Sequence, residues 1–489
     1  MLQQLDAADR VRRKISPQIV PKRKAQLGQF MTPSSVARFM ASMFPPSTLQ
    51  TCQLLDAGAG VGALSCAFLD RWAAGGFGFK SVVATAYEID DSLRAHLEQH
   101  LSNYSRVTSQ VIAGDYIELA TSESLAVKHY THVILNPPYK KISSQSNHRL
   151  ALRSVGIETV NLYSAFVALA VAQAAIGGQV VAIIPRSFCN GPYYRPFRDF
   201  ILERAALRHM HLFESRSKAF KDDKVLQENV IIRLERGGQQ GPVTITTSTD
   251  DSFVDLSTNE HPFNRIVFPN DPERFIHVPT STDKSTIELS PAVCCSLADL
   301  GIKISTGPVV DFRLKDHLRD MPELGTVPLL YPVHFSANST SWPLDGIKKP
   351  NAIQRNENTE RWLYPNGFYC VVRRFSSKEE KRRIVASVVD PAAFDGHSML
   401  GFENHLNVFH ENKQGLPEAL ARGLAVFLNT TAVDESFRRF NGHTQVNATD
   451  LKLMKYPSRE ALIQLGMWAM TQDELSQEVI DQQFGSIMV

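Results

Sequence analysis

Cysteine is scarce in this 489-residue chain. It holds six, too few for a disulfide scaffold at this length. Cys294 and Cys295 are adjacent and the other four are scattered without the spacing of a metal site, so a reducing cytoplasm is the expected setting. Long hydrophobic runs are missing too. None reaches the ~18 residues that a membrane span needs, which excludes a helical membrane protein. Residues 1–18 carry no apolar stretch of signal-peptide type. Nor is there an excess of charge of one sign. Lys+Arg 52 against Asp+Glu 50 leaves a formal charge of +2, so any nucleic-acid contact must come from local basic patches rather than bulk charge. What is present is ordinary globular composition, 43% hydrophobic and 21% charged, on a chain long enough for two or three domains.

Residues 1–27 are polar and basic and read as an N-terminal arm with one helix at most. Thr32 and Pro33 then open a helix, with Thr as N-cap and Pro at the first helical position. Val36, Phe39, Met40 and Met43 give it an apolar stripe, and Pro45-Pro46 ends it. Strands and helices alternate from there. Strands are expected near 54–58, 82–90, 111–115, 131–139 and 180–185, with 209–213 and 229–235 as a closing antiparallel pair. The alternation predicts a doubly wound α/β sheet whose ligands sit at the carboxyl ends of its strands. Residues 237–242 read as a linker or tight turn, and the texture beyond them shifts to short β-type runs, prolines and polar loops. A domain boundary is therefore expected near 240, with a mixed α+β domain over 241–489.

Two motifs carry chemistry. The first, Asp56-Ala57-Gly58-Ala59-Gly60-Val61-Gly62, follows a strand and precedes a helix. Such a turn lets the backbone approach a ligand and fits NAD, FAD, S-adenosylmethionine or a plain tight turn. Asp56 would repel a pyrophosphate but suits the ammonium of a methionine moiety. The next two strands end in Glu88-Ile89-Asp90, where a carboxylate can accept both ribose hydroxyls, and in Gly114-Asp115-Tyr116, where an acceptor can meet an adenine amine. The second motif, Asn136-Pro137-Pro138-Tyr139, ends the fourth strand. The prolines fix φ and remove two donors, which leaves the Asn136 side-chain oxygen and the Pro137 carbonyl to accept from an exocyclic NH₂. Tyr139 offers an aromatic face for a planar base. His96 and His100 have i, i+4 spacing but no third ligand, so they read as helix-surface residues and no metal is expected.

The order of these motifs resembles that of the gamma class of amino-group DNA methyltransferases. The nearest members are the adenine-N6 enzymes of type II restriction–modification systems typified by the TaqI methyltransferase. Gly28-Gln29-Phe30-Met31-Thr32-Pro33 looks like the N-terminal cofactor motif, and Asn161-Leu162-Tyr163-Ser164-Ala165-Phe166 matches the segment after the Asn-Pro-Pro-Tyr motif. The match covers residues 28 to about 236. The resemblance implies a class I S-adenosylmethionine-dependent, Rossmann-like catalytic domain over 28–240 and a target-recognition domain over 241–489. It implies that Thr32, Asp56, Ala57, Gly58, Gly60, Glu88, Ile89, Asp115, Tyr116 and Asn136 hold S-adenosylmethionine. Asn136 and Pro137 would grip the N6 amine of a flipped-out adenine, between Tyr139 and Phe220.

Lys140 and Lys141, beside the second motif, are expected at the DNA. So is a basic cluster of Arg373, Arg374, Lys378, Lys381, Arg382 and Arg383, against the alternative of a solvated helical face. Arg438, Arg439, His443, Gln445 and Asn447 could read base edges or grip phosphates. The expected partner is double-stranded DNA, with a separate cognate restriction endonuclease, no membrane, and a monomer or dimer as the working form. Other readings remain open: an enzyme acting on cytosine N4, an RNA base or a protein glutamine; a non-catalytic DNA-binding subunit; or a fused nuclease, for which the C-terminal half offers no convincing Asp…Glu-X-Lys constellation on strands.

Overall fold

The computed structural model describes residues 4–18, 31–122, 129–214, 228–269, 271–279, 292–336, 340–376, 380–441 and 445–487. Gly28, Gln29, Phe30, Phe220, Lys378 and His443 therefore lie outside the described residues. The chain forms two compact units, Met1–Thr282 and Asp283–Val489.

In the first unit, the N-terminal residues carry one helix, α1 (Gln4–Ile15), which packs into the core instead of standing free as an arm. Leu5 and Ala8, one helical turn apart, are fully buried in a core shared with Phe68 and Leu69. The backbone N–H groups of Gln4 and Leu5 donate to Asp70, so the start of α1 is capped from another helix. Helix α2 (Ser34–Ser42) begins one residue later than its capping signal predicts. Pro33 occupies the N-cap in an extended conformation, and Thr32 is left outside with its hydroxyl committed elsewhere.

The alternation expected from the sequence then follows. Strands β1 (Thr51–Ala57), β2 (Ser81–Glu88), β3 (Val107–Ala113), β4 (Tyr130–Leu135) and β5 (Ala174–Pro185) run parallel in the order β3-β2-β1-β4-β5. The helices between them are α3 (Ala63–Ala73), α4 (Asp91–Ser102), α5 (Tyr116–Ser122), α6 (Asn147–Ser154) and α7 (Leu162–Gln173). The strand order reverses between β1 and β4, so their carboxyl ends open a crevice there. Helix α7 carries no charged residue and is apolar all round, which places it inside the layer packed on β4 and β5. Helix α8 (Arg195–Arg204) leads into β6 (Ala205–Phe213), which pairs antiparallel with β7 (Asn229–Arg236) as expected.

The boundary expected near 240 falls inside this sheet. Residues 237–242 are a turn, after which β8 (Val243–Ser248) pairs parallel with β6 and β9 (Ser257–His261) closes the nine-stranded sheet. The side chain of Ser35 donates to Asp251, and the buried Arg198 donates to the backbone oxygen of Glu273. These non-local pairings extend the first unit to 282.

The second unit is mixed α+β. It holds a four-stranded sheet, a five-stranded sheet and a two-stranded pair, with helices Glu418–Leu428 and Arg459–Ala469 packed on one another. These helices cross so closely that backbone meets backbone. A Cβ on Gly423 would lie 1.8 Å from the Leu462 oxygen, and one on Gly466 would lie 1.7 Å from the Ala419 oxygen. Alanine at either position must push the helices apart, at a cost of about 1–3 kcal/mol. Gly423→Ala and Gly466→Ala should each lower the urea midpoint of unfolding, and the double variant should cost less than the sum, because one separation relieves both clashes.

Candidate active site

The loop between β1 and α3 is fastened from behind. Gly58 and Ala59 donate backbone N–H groups to the Tyr87 oxygen, each at 2.9 Å. Gly60 donates to Glu88 Oε2 at 2.7 Å. Gly62 starts α3 with a φ of +88°, which favours glycine, and a Cβ there would press on the Leu97 methyl at 2.8 Å. His100 is not the surface residue its spacing suggests: it is buried, with Nδ1 2.8 Å from the Val61 oxygen, and braces the same loop from α4.

Above this loop, at the carboxyl ends of β1–β4, lies a cavity of about 300 Å³, a size suited to a cofactor or drug-sized ligand. Thr32, Gly58, Gly60, Glu88, Ile89, Asp115, Tyr116 and Asn136 line it as expected. Asp56 and Ala57 do not. Asp56 is 1% exposed, and its Oδ2 accepts from the Ser65 backbone N–H at 3.1 Å and from the Ser65 hydroxyl at 2.6 Å. Its other oxygen is buried without a hydrogen bond. Burial pushes this carboxyl up to about 7, only partly offset by Ser65, and Asp56 is held within the fold without lining the cavity.

Glu88 lines the cavity with both oxygens engaged: Oε2 by Gly60, and Oε1 by the Asp90 backbone N–H at 2.7 Å. Burial raises its carboxyl above the ordinary range. Ribose hydroxyls would meet its remaining lone pairs. Asp115 takes the N–H groups of Ile117 and Glu118 on Oδ1, while His148 Nε2 stands 3.1 Å from its Oδ2. Burial opposes its charge, but the hydrogen bond and positive field of His148 hold it below the usual carboxylate range. Tyr116 donates to Gln173 at 2.7 Å, and its ring meets Phe166 at 5.0 Å. Ile89, Leu162 and Phe166 give the same end of the cavity an apolar lining that fits a heterocycle. Leu162, Phe166 and His148 were not among the residues expected to hold the cofactor. An aromatic one turn into the all-apolar α7 was a usable signal for Phe166; His148 belongs to no motif.

Asn136 and Pro138 stand at the lip of the cavity, and Pro137 is buried beneath it. The Asn136 amide is oriented by its neighbours. Its Nδ2 donates to the Thr32 hydroxyl at 3.0 Å, and the single Tyr139 O–H is shared between its Oδ1 at 3.2 Å and the Ile183 backbone oxygen at 3.3 Å. Tyr139 is half-buried, edge-on to Tyr163 at 6.2 Å, and does not line the cavity. Lys140 and Lys141 are exposed on a segment that zips against residues 160–162: Leu162 donates to the Lys140 oxygen and Ile142 to the Val160 oxygen, both at 2.8 Å. Lys140 also lines the cavity.

The basic residues of the second unit are largely committed within the fold. Arg383 is fully buried, with Nη2 3.0 Å from the Asn441 side-chain oxygen. Arg382 donates to Gln477 and to the Thr430 oxygen, and Arg373 pairs with Glu380. Arg373 ends a strand, so the alternative of a helical face is also set aside. Arg438 holds Asp434 at 2.7 Å, and Asn447 caps helix Ala448–Leu453 through a reciprocal capping box with Asp450. Arg374 and Gln445 bond one another at 3.2 Å, and Arg439 is half-buried.

Residues 85–220 match the family model of the Eco57I restriction-modification methylase. Over its whole length the chain is 52% identical to the type II methyltransferase M.BsuBI of Bacillus subtilis, covering 99% of that protein. The chain belongs to the type II methyltransferases. It is a DNA methyltransferase of the restriction–modification kind, with S-adenosylmethionine as donor. The type II methyltransferase M.PstI of Providencia stuartii is 44% identical over 90% of this chain and 88% of its own. In fold, this methyltransferase is similar to the chain in a cryo-EM structure of the DrdV–DNA complex, with a TM-score of 0.52 at 10% identity, over 96% of this chain and 59% of that one. Among the described residues, no helix is long and apolar enough to cross a membrane.

The buried Asp56 yields a pH test. An unfolded aspartate ionises near 3.9, whereas the folded one holds its proton to about 7. Folded stability is therefore lost as pH rises through this window and is level above it. Asp56→Asn should raise the melting temperature at pH 8 more than at pH 5 and leave cofactor affinity unchanged in calorimetry. A selective loss of affinity would return Asp56 to the cofactor.

Proposed function

We propose that this methyltransferase modifies the N6 amine of an adenine turned out of duplex DNA. The observation that carries the reading is the orientation of Asn136. With Nδ2 committed to Thr32, the amide presents its oxygen as the acceptor at the lip of the cofactor cavity. The bound cofactor supplies an electrophilic methyl group. The protein's part is to hold the attacking amine. Asn136 Oδ1 and the Pro137 carbonyl accept its two hydrogens, which draws nitrogen lone-pair density out of the ring and toward the methyl. The nitrogen gains a positive charge on transfer and then releases a proton, so no strong base is needed before attack. Positioning supplies the chief rate gain. Turning the base out costs a few kcal/mol, offset by its contacts in the site. Tyr139, held by Asn136 and Ile183, provides a ring face, and Phe220 a second.

The second unit is assigned target recognition, with Arg374, Arg439 and Gln445 as its candidate readers and Lys140 and Lys141 of the first unit on the phosphates. Arg373, Arg438 and Asn447 are further candidates; like Arg374 and Gln445, each would exchange a partner within the fold for DNA. The mark would protect host DNA in the cytoplasm from a separate endonuclease of matching specificity.

Asn136→Ala should retain cofactor binding and lose about 10²–10³-fold in kcat, the usual effect of removing one transition-state hydrogen bond. Thr32→Val, which frees the amide to turn, should cost about tenfold, in line with one lost hydrogen bond. Digestion of the methylated DNA to nucleosides should give N6-methyl-2′-deoxyadenosine; N4-methyl-2′-deoxycytidine would assign the site to the other amino base.

A further inference from the structure

The segment between the catalytic motif and α7 contains a helix that no motif accounts for. Helix α6 is capped by Ser146 at its start, anchored by the fully buried Leu152, and closed behind by Ile157, which donates to the Leu152 oxygen at 2.9 Å. Arg153 reaches Glu158 at 2.6 Å, and Arg149 pairs with the same carboxylate. Residues 146–158 are thus a self-fastened unit rather than a slack loop. The second residue of α6, His148, turns into the cofactor cavity beside Gly114, Asp115 and Tyr116, with Nε2 3.1 Å from Asp115 Oδ2.

The charged groups that face the imidazole are Asp115 and Glu118, the latter at 3.9 Å, with Lys140 on the approach to α6. The Asp115 hydrogen bond raises the imidazole above its ordinary range, with Lys140 opposing it. Asp115 is consequently fixed on two sides: backbone N–H groups hold Oδ1 and His148 holds Oδ2. A carboxylate so aimed accepts from an exocyclic amine and repels a ring carbonyl at the same place.

We propose that His148 is a positioning residue for the cofactor. It latches α6 over the adenine end of the cavity and aims the Asp115 carboxylate, so that the site selects a 6-amino over a 6-oxo purine. This rests on the reading of the cavity as the S-adenosylmethionine site.

The test is calorimetry of the full chain with S-adenosylhomocysteine and S-inosylhomocysteine. The parent should prefer the adenosyl ligand. His148→Ala should weaken that ligand about tenfold, the scale of one hydrogen bond to a charged group, and leave the inosyl ligand nearly unchanged. His148→Gln, which keeps an N–H donor, should restore most of the preference. In steady state, the alanine variant should raise KM for S-adenosylmethionine with kcat at saturation retained. Equal weakening of both ligands, together with a lowered melting temperature, would reduce His148 to a structural residue and overturn the proposal. So would an unchanged preference. A parent that binds neither ligand would remove the cofactor reading itself, an outcome distinct from either.

Discussion

The proposed catalytic geometry depends on one hydrogen bond, from Asn136 Nδ2 to the Thr32 hydroxyl. A primary amide has a donor end and an acceptor end of nearly the same shape, and only its surroundings decide which faces the substrate. Here a residue 104 positions away takes the donor end. Pro137 and Pro138 fix the backbone on the other side, and Tyr139 ties the turn to β5 through Ile183. The motif alone would not direct its oxygen; the N-terminal segment does so, which explains why Thr32 stands outside helix α2 instead of capping it.

The same economy of parts runs through the cofactor cavity. Glu88 is both a cavity wall and the acceptor that fastens the glycine loop at Gly60. Asp115 is both a strand-end acceptor and the cap of α5. Carboxylates that take several N–H donors lose rotational freedom, so these walls are set before any ligand arrives. Preorganisation of this kind lowers the cost of binding a charged, flexible cofactor.

Local chemistry was legible in the sequence. Glycine at positions of positive φ, proline after a strand, and strand-end carboxylates mark the loop and the catalytic turn without reference to distant residues, and eight of the ten expected cofactor residues line the cavity. Non-local pairing was not legible. Asp56 carries the right charge in the right place, yet Ser65 draws it beneath the loop. The cluster 373–383 looks like a phosphate-binding patch until Asn441, 58 positions on, accounts for Arg383. His148 has no signal at all, because its meaning depends on a carboxylate 33 positions earlier in the chain.

The sheet extension beyond residue 240 bears on how specificity is exchanged between such enzymes. A graft joined at the turn 237–242 would strip β8 from the open side of β6 and empty the core of Val243, Ile245 and Val278. The bared strand would be an adhesive edge, prone to pairing with other chains. A second unit exchanged between relatives should instead be joined beyond Val278, where the first unit keeps its full sheet.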